Sequence, residues 1–153
     1  MLKNIPACIT PDLMKILMEM GHGDEIILAD ANFPALTIAT NSNARFLRLD
    51  NVRIPELLDA ILRFFPLDSM VDHPAALMEK TPDMTEMPPN WQHYLESVRE
   101  VSPAVRAMDD FEYIERFSFY ERAKNAFVIV TTGDISRHAN ILLKKDLMTE
   151  YPQ

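Results

Sequence analysis

Residues 11–30, PDLMKILMEMGHGDEIILAD, hold a helix pattern followed directly by a strand pattern. In the first half, apolar residues recur at helical spacing behind the candidate N-cap Thr10, and Gly21 is the natural stop. In the second half, the apolar run from Glu25 to Ala29 is typical of a buried strand, which Asp30 ends. A helix joined to a buried strand is the unit from which α/β folds are built.

Outward from this stretch, strand and helix patterns continue to alternate. Further strands are predicted at residues 45–49, 75–78, 113–118, 127–132 and 141–143. Further helices are predicted at residues 54–65, 91–98 and 120–126. Residues 81–90 contain three prolines and are expected to form an irregular loop. The pattern predicts one α/β domain over residues 1–153, a layered α/β/α fold with a mixed, largely parallel sheet.

Composition excludes several classes of protein. The formal net charge of -8 argues against a nucleic-acid partner, because such proteins usually cluster basic residues on one face. No apolar run reaches the roughly 18 residues that a membrane-spanning helix needs, and no signal-peptide pattern is found at the N-terminus. Cys8, as the single cysteine, cannot form an intrachain disulfide. We therefore expect a cytoplasmic protein without a membrane partner.

Two polar residues flank the first predicted strand. His22 stands between Gly21 and Gly23, where glycine lets a ligand approach and histidine can exchange a proton near neutral pH. A histidine after a helix can equally serve as a partner for the helix dipole. Asp30 is also ambiguous, because carboxylates at strand ends often cap the next turn. The sequence pattern leaves both alternatives open.

The segment 113–122 is dense in aromatic and ionisable residues. It could form a sugar-binding wall or an amphipathic edge with solvated charges, and spacing does not decide between them. Sequence motifs for other kinds of site are absent. No HExxH or CxxC indicates a metal site, and no P-loop, GxGxxG or GxSxG indicates a nucleotide-binding site or a serine hydrolase. We expect no metal and no cofactor.

Four blocks carry a resemblance to a known family: MGHGDEI (20–26), ADANFPA (29–35), ERF with FYERAK (115–117 and 119–124), and ANILLKK (139–145). In order and spacing, from about Leu2 to Lys145, they resemble the L-fucose mutarotase branch of the L-fucose mutarotase and D-ribose pyranase family. The resemblance implies an isomerase that interconverts the anomers of a free monosaccharide, L-fucose first and D-ribose second. It also implies cofactor-free general acid and base catalysis.

The resemblance assigns roles residue by residue. The family's catalytic histidine falls on His22, and Tyr120 is expected to position or relay a proton. The sugar-binding positions fall on Asp30, Asp68, Met78, Glu115, His138 and Asn140.

His138 is a departure, because the family usually has tyrosine there. Imidazole is shorter than phenol and titrates near neutrality, so the sugar preference and the pH profile are expected to differ from those of the family. The alternative is that His138 is an exposed loop residue.

The resemblance also implies a homo-oligomer. In this family the expected assembly is a ring of up to ten subunits, with each site completed across a subunit boundary. Two rival functions remain. One is a sugar-binding or regulatory protein that has lost turnover. The other is an interaction module in which the segment around Tyr120 is an oligomer interface, and it predicts no sugar binding.

Overall fold

The computed structural model describes residues 2–149. The helices are α1 (Pro11–Glu19), α2 (Ala35–Thr40), α3 (Ile54–Leu62), α4 (Trp91–Val101) and α5 (Arg116–Ala123), with a 3-10 turn at Met108–Asp110. The strands are β1 (Glu25–Ala29), β2 (Arg45–Leu49), β3 (Ala75–Met78), β4 (Glu112–Ile114), β5 (Val128–Thr132) and β6 (Ile141–Lys144).

The strands form a mixed sheet in the order β2-β5-β1-β6-β3-β4. The parallel pairs are β1 with β5, β2 with β5, and β3 with β4. Strand β6 is antiparallel to both of its neighbours, β1 and β3. The largely parallel sheet confirms the predicted class of fold.

Helices cover the two faces of the sheet and enclose two cores. Along β1, Ile26 and Leu28 enter the core beneath α1, α3 and α4, whereas Ile27 and Ala29 enter the core beneath α2 and α5. This alternation follows from the strand period of two residues, and a strand buried on both faces reads as a continuous apolar run. Within residues 2–149, no helix is long and apolar enough to cross a membrane.

Local sequence chemistry explains where the elements differ from the predicted bounds. The strand predicted at residues 113–118 is wrong beyond Ile114, because the Glu115 carboxylate accepts the backbone N–H groups of Phe117 and Ser118 and thereby starts α5. Helix α2 was not predicted, since its six residues are too few for a periodic pattern.

The sheet topology defines two edges. At the carboxyl edge, the five parallel strands end and β6 begins; at the amino edge, the parallel strands begin and β6 ends. In open α/β sheets, ligands bind outside the carboxyl ends of the strands.

Candidate active site

At the carboxyl edge, Asp30 and Asn140 form a reciprocal pair. The Asn140 side-chain oxygen accepts the Asp30 backbone N–H at 2.9 Å, and its amide nitrogen donates to Asp30 Oδ2 at 2.8 Å. Both residues are buried, and burial raises the pKa of the Asp30 carboxyl above its ordinary value of 3.8. The pair links the end of β1 to the start of β6, so two residues 110 positions apart meet.

An aromatic wall lies beside Asp30. The Tyr120 ring meets the Phe33 ring edge-on, with centroids 5.3 Å apart, and the Phe117 ring at 6.1 Å. Met78 ends β3 at the same edge, and Glu115 follows β4. Because the Glu115 carboxylate caps α5, its visible role is structural.

His138 is held beside the loop that follows β3. Its Nε2 lies 3.4 Å from Thr81 Oγ1, and its side chain is only partly exposed. Its backbone φ is 55°, in the left-handed region that few residues other than glycine occupy. Loss of hydration lowers the pKa of the imidazole below its ordinary value of 6.5, and the neighbouring Arg137 lowers it further.

At the amino edge, His22 faces a buried carboxylate. Its Nε2 lies 3.4 Å from Asp68 Oδ1 and 3.9 Å from Asp146 Oδ1. Asp68 is only 2% exposed, whereas the His22 side chain is 40% exposed. The imidazole thus has a fixed acidic partner on one side and open access on the other.

The ligand atoms of His22, Asp68 and Asp146 all lie within 4.8 Å of one another, a group that could hold a metal ion. Asp68 Oδ1 also accepts the Met70 N–H at 3.0 Å. Both Asp146 oxygens are engaged: Oδ1 accepts the Leu147 N–H at 2.7 Å, and Oδ2 accepts two bonds from Ser69. These bonds give a partner to both Asp146 oxygens and to one Asp68 oxygen, and a metal-free site stays a prediction.

The two groups of predicted site residues do not meet within one chain. His22 precedes β1 and Asp30 follows it, and the five residues of β1 alone span roughly 13 Å at the usual strand rise. His22 and Asp68 lie at the amino edge, whereas the other predicted residues, Asp30, Met78, Glu115, Tyr120, His138 and Asn140, lie at or beside the carboxyl edge. Asp30 and Asn140 meet, as do His22 and Asp68.

Sequence reasoning missed two acidic residues near these groups. Asp134 is 1% exposed and accepts the Ile54 N–H at 3.1 Å and the Asn90 side-chain N–H at 3.0 Å. Its position after the β5 strand pattern was an available signal, the same one that drew attention to Asp30. Asp146 had no such signal, since only the fold brings it to His22.

Comparison with known proteins places the chain in a family. The model of the RbsD / FucU transport protein family matches residues 3–148. The chain belongs to the RbsD / FucU family. It is 44% identical to the fucose mutarotase of Homo sapiens, over 99% of this chain and 97% of that one.

Solved RbsD / FucU structures share the fold. The fucose mutarotase of Streptococcus pneumoniae in complex with L-fucose has a TM-score of 0.85 and 44% identity, covering 97% of this chain and 100% of that one. FucU from Bifidobacterium longum has a TM-score of 0.87 and 44% identity, covering 95% of this chain and 99% of that one.

Proposed function

We propose that this protein is an isomerase, a mutarotase that interconverts the anomers of a free monosaccharide without a cofactor, with L-fucose as the first substrate. The observation that carries the proposal is the contact between the open His22 imidazole and the buried Asp68 carboxylate. Relatives that are 44% identical, one of them in complex with L-fucose, support this choice of reaction and sugar.

Mutarotation requires two proton transfers and no net redox change. Removal of the proton on the anomeric hydroxyl lets the bond between the anomeric carbon and the ring oxygen break, and the ring oxygen takes up a proton. Rotation of the open-chain carbonyl and closure on its other face reverse both transfers. General acid and base groups at neutral pH suffice for this chemistry.

The described residues divide these tasks between the two edges. His22 donates and accepts the proton, and Asp68 holds the His22 imidazole in place through its Nε2 atom. Asp30 and Asn140 bind sugar hydroxyls from their buried pair. Tyr120 positions the sugar or relays a proton from the aromatic wall, while Met78, Glu115 and His138 border the sugar.

Because the two groups lie at opposite edges, one complete site is built from two copies of the chain, with the amino edge of one copy facing the carboxyl edge of the next. Such head-to-tail contacts are heterologous, and they close into a ring when the rotation permits. The proposal therefore includes a homo-oligomer, with a ring-shaped decamer as its largest form. A cytoplasmic location also stays a prediction.

Saturation-transfer NMR on L-fucose and D-ribose tests the function, because it detects exchange between anomers directly. Replacing His22 with Ala should reduce the enzyme-dependent exchange by about a hundredfold or more, the usual effect of losing a general acid or base. Far-UV circular dichroism checks that the variant keeps its fold. Undiminished exchange in His22→Ala would contradict the assignment.

The same measurement distinguishes the proposed enzyme from the two rival functions, a sugar-binding protein and an interaction module. A sugar-binding protein without turnover gives ligand line broadening and no exchange, and an interaction module gives neither. A preference for D-ribose over L-fucose would support the proposed reaction and would show that the proposed first substrate is wrong.

A further inference from the structure

Residues 133–140, between β5 and β6, include two of the proposed sugar contacts, so the inference about them rests on the proposed function. They form neither helix nor strand, and His138 occupies the left-handed region at a φ of 55°. Such a conformation costs energy for a residue with a Cβ and persists only where surrounding contacts hold it.

Two buried side chains of α4 supply those contacts. The Trp91 indole N–H donates to the His138 carbonyl at 2.8 Å, and the Tyr94 hydroxyl donates to the Ala139 carbonyl at 2.7 Å. Trp91 is 5% exposed and Tyr94 is 0% exposed. The two residues lie three positions apart on one helix face, so they reach consecutive carbonyls of the segment.

The start of the same segment is held from the same end of α4. Asn90 donates its side-chain N–H to Asp134 Oδ2 at 3.0 Å and contacts the Tyr94 hydroxyl at 3.3 Å. Burial raises the pKa of the Tyr94 phenol, which therefore keeps its proton and remains a donor. Helix α4 thus fixes both the beginning and the end of residues 133–140.

We propose that Trp91 and Tyr94 are positioning residues for sugar binding. By fixing the His138 and Ala139 carbonyls, they set the directions of the His138 imidazole and of the Asn140 amide that follows. Neither side chain needs to touch the sugar. Loss of one donor leaves a buried carbonyl unpaired, so the segment relaxes and sugar affinity falls. His22, at the opposite edge, is undisturbed, so turnover at saturation is retained.

Tyr94→Phe tests this inference, because it removes only the hydroxyl. We expect the KM for L-fucose to rise about tenfold and kcat to stay within about twofold of the wild-type value, the pattern of lost uniform binding. The matched control is Tyr113→Phe, which removes a hydroxyl that donates to the Met108 carbonyl at 2.8 Å, outside the segment, and keeps the ring that packs beside Trp91. The control variant should have the KM and kcat of the wild-type protein.

Trp91, the one tryptophan of the chain, adds a second readout. Its emission should change when L-fucose is titrated into the wild-type protein, and in Tyr94→Phe the same titration should require about tenfold more sugar. Thermal unfolding checks that the variant folds. If Tyr94→Phe does not fold, Trp91→Phe takes its place with the same expected KM, measured by exchange NMR.

Three results would overturn the inference: an unchanged KM in the folded variant, an equal rise in Tyr113→Phe, or a fall in kcat at constant KM. A wild-type protein that binds sugar without exchanging its anomers contradicts the proposed enzyme instead, and the fluorescence titration then still tests the positioning role. A wild-type protein that binds neither L-fucose nor D-ribose contradicts both.

Discussion

At the residue scale, His138 stands where the resemblance to the family leads us to expect tyrosine, and the structure places its ring beside Thr81 rather than in open solvent. Because burial lowers the pKa of His138 below its ordinary value of 6.5, the imidazole is mainly neutral at pH 7 and becomes charged as the pH falls into the acidic range. Asp30 is a second titratable group at this edge, and burial raises the pKa of its carboxyl above the ordinary value. The two contributions can be separated by substitution.

We predict that the exchange rate of the wild-type protein falls in a step on the acid side of pH 6.5 as His138 becomes charged. A tyrosine would stay neutral there, since its ordinary pKa is about 10. His138→Tyr should therefore remain active, lose that step and shift its preference between L-fucose and D-ribose. Exchange rates of both proteins from roughly pH 5 to 8 provide the measurement. Identical profiles and preferences would remove His138 from the site.

A second prediction concerns the group formed by His22, Asp68 and Asp146. Backbone N–H groups and Ser69 already bind three of the four carboxylate oxygens, so we expect exhaustive chelation to leave the exchange rate unchanged. Exchange is measured before and after treatment with a chelator, and again after zinc or manganese is added. A loss of activity that either metal restores would show that the three side chains hold a catalytic ion.

At the element scale, the turn after β5 depends on a close approach of two backbones. A Cβ at Gly133 would lie 2.0 Å from the Asp50 carbonyl oxygen, at the end of the neighbouring strand β2. That contact is with backbone, which cannot move away as a side-chain end could. Glycine is therefore required here for space.

Gly133→Ala should destabilise the protein by about 2 kcal/mol, the typical cost of forcing extra atoms into a packed region. For a chain of this size, the thermal midpoint should fall by roughly 4–8 °C. Gly21→Ala is the matched control for stability, because its Cβ would meet only a side-chain oxygen of Asp24 at 3.7 Å. Equal midpoints for the two variants would contradict the role of the close approach.

The sequence predicted those elements whose signals are local. The bounds of β1 and β2 are confirmed, and the Thr10 hydroxyl caps α1 as expected, because apolar runs and capping residues act over a few positions. The start of α5 was missed, since it depends on a glutamate side chain that folds back onto its own helix. The pair of Asp30 and Asn140 depends on the order of strands in the sheet, so spacing did not indicate it, and the resemblance assigned the two residues to the sugar site only separately.

At the scale of the whole molecule, the separation of the two site groups has a thermodynamic consequence. If each active site needs His22 from one copy and Asp30 from the next, catalysis depends on assembly. In the described chain, His22 and Asp30 lie at opposite edges of one sheet. Dilution below the dissociation constant of the oligomer should then abolish exchange even though each copy stays folded.

Complementation between two inactive variants tests this dependence. His22→Ala retains an intact carboxyl edge, and Asp30→Asn retains an intact amino edge, so each alone should be inactive. When the two chains are coexpressed in equal amounts and mix at random, about a quarter of the head-to-tail boundaries combine both intact halves. We therefore expect exchange at about a quarter of the wild-type rate, assayed by NMR at the same total concentration. Mixing the two proteins after separate purification, without subunit exchange, serves as the control and should give no recovery. If the coexpressed mixture also stays inactive while native mass spectrometry shows mixed oligomers, the two edges do not combine across a subunit boundary.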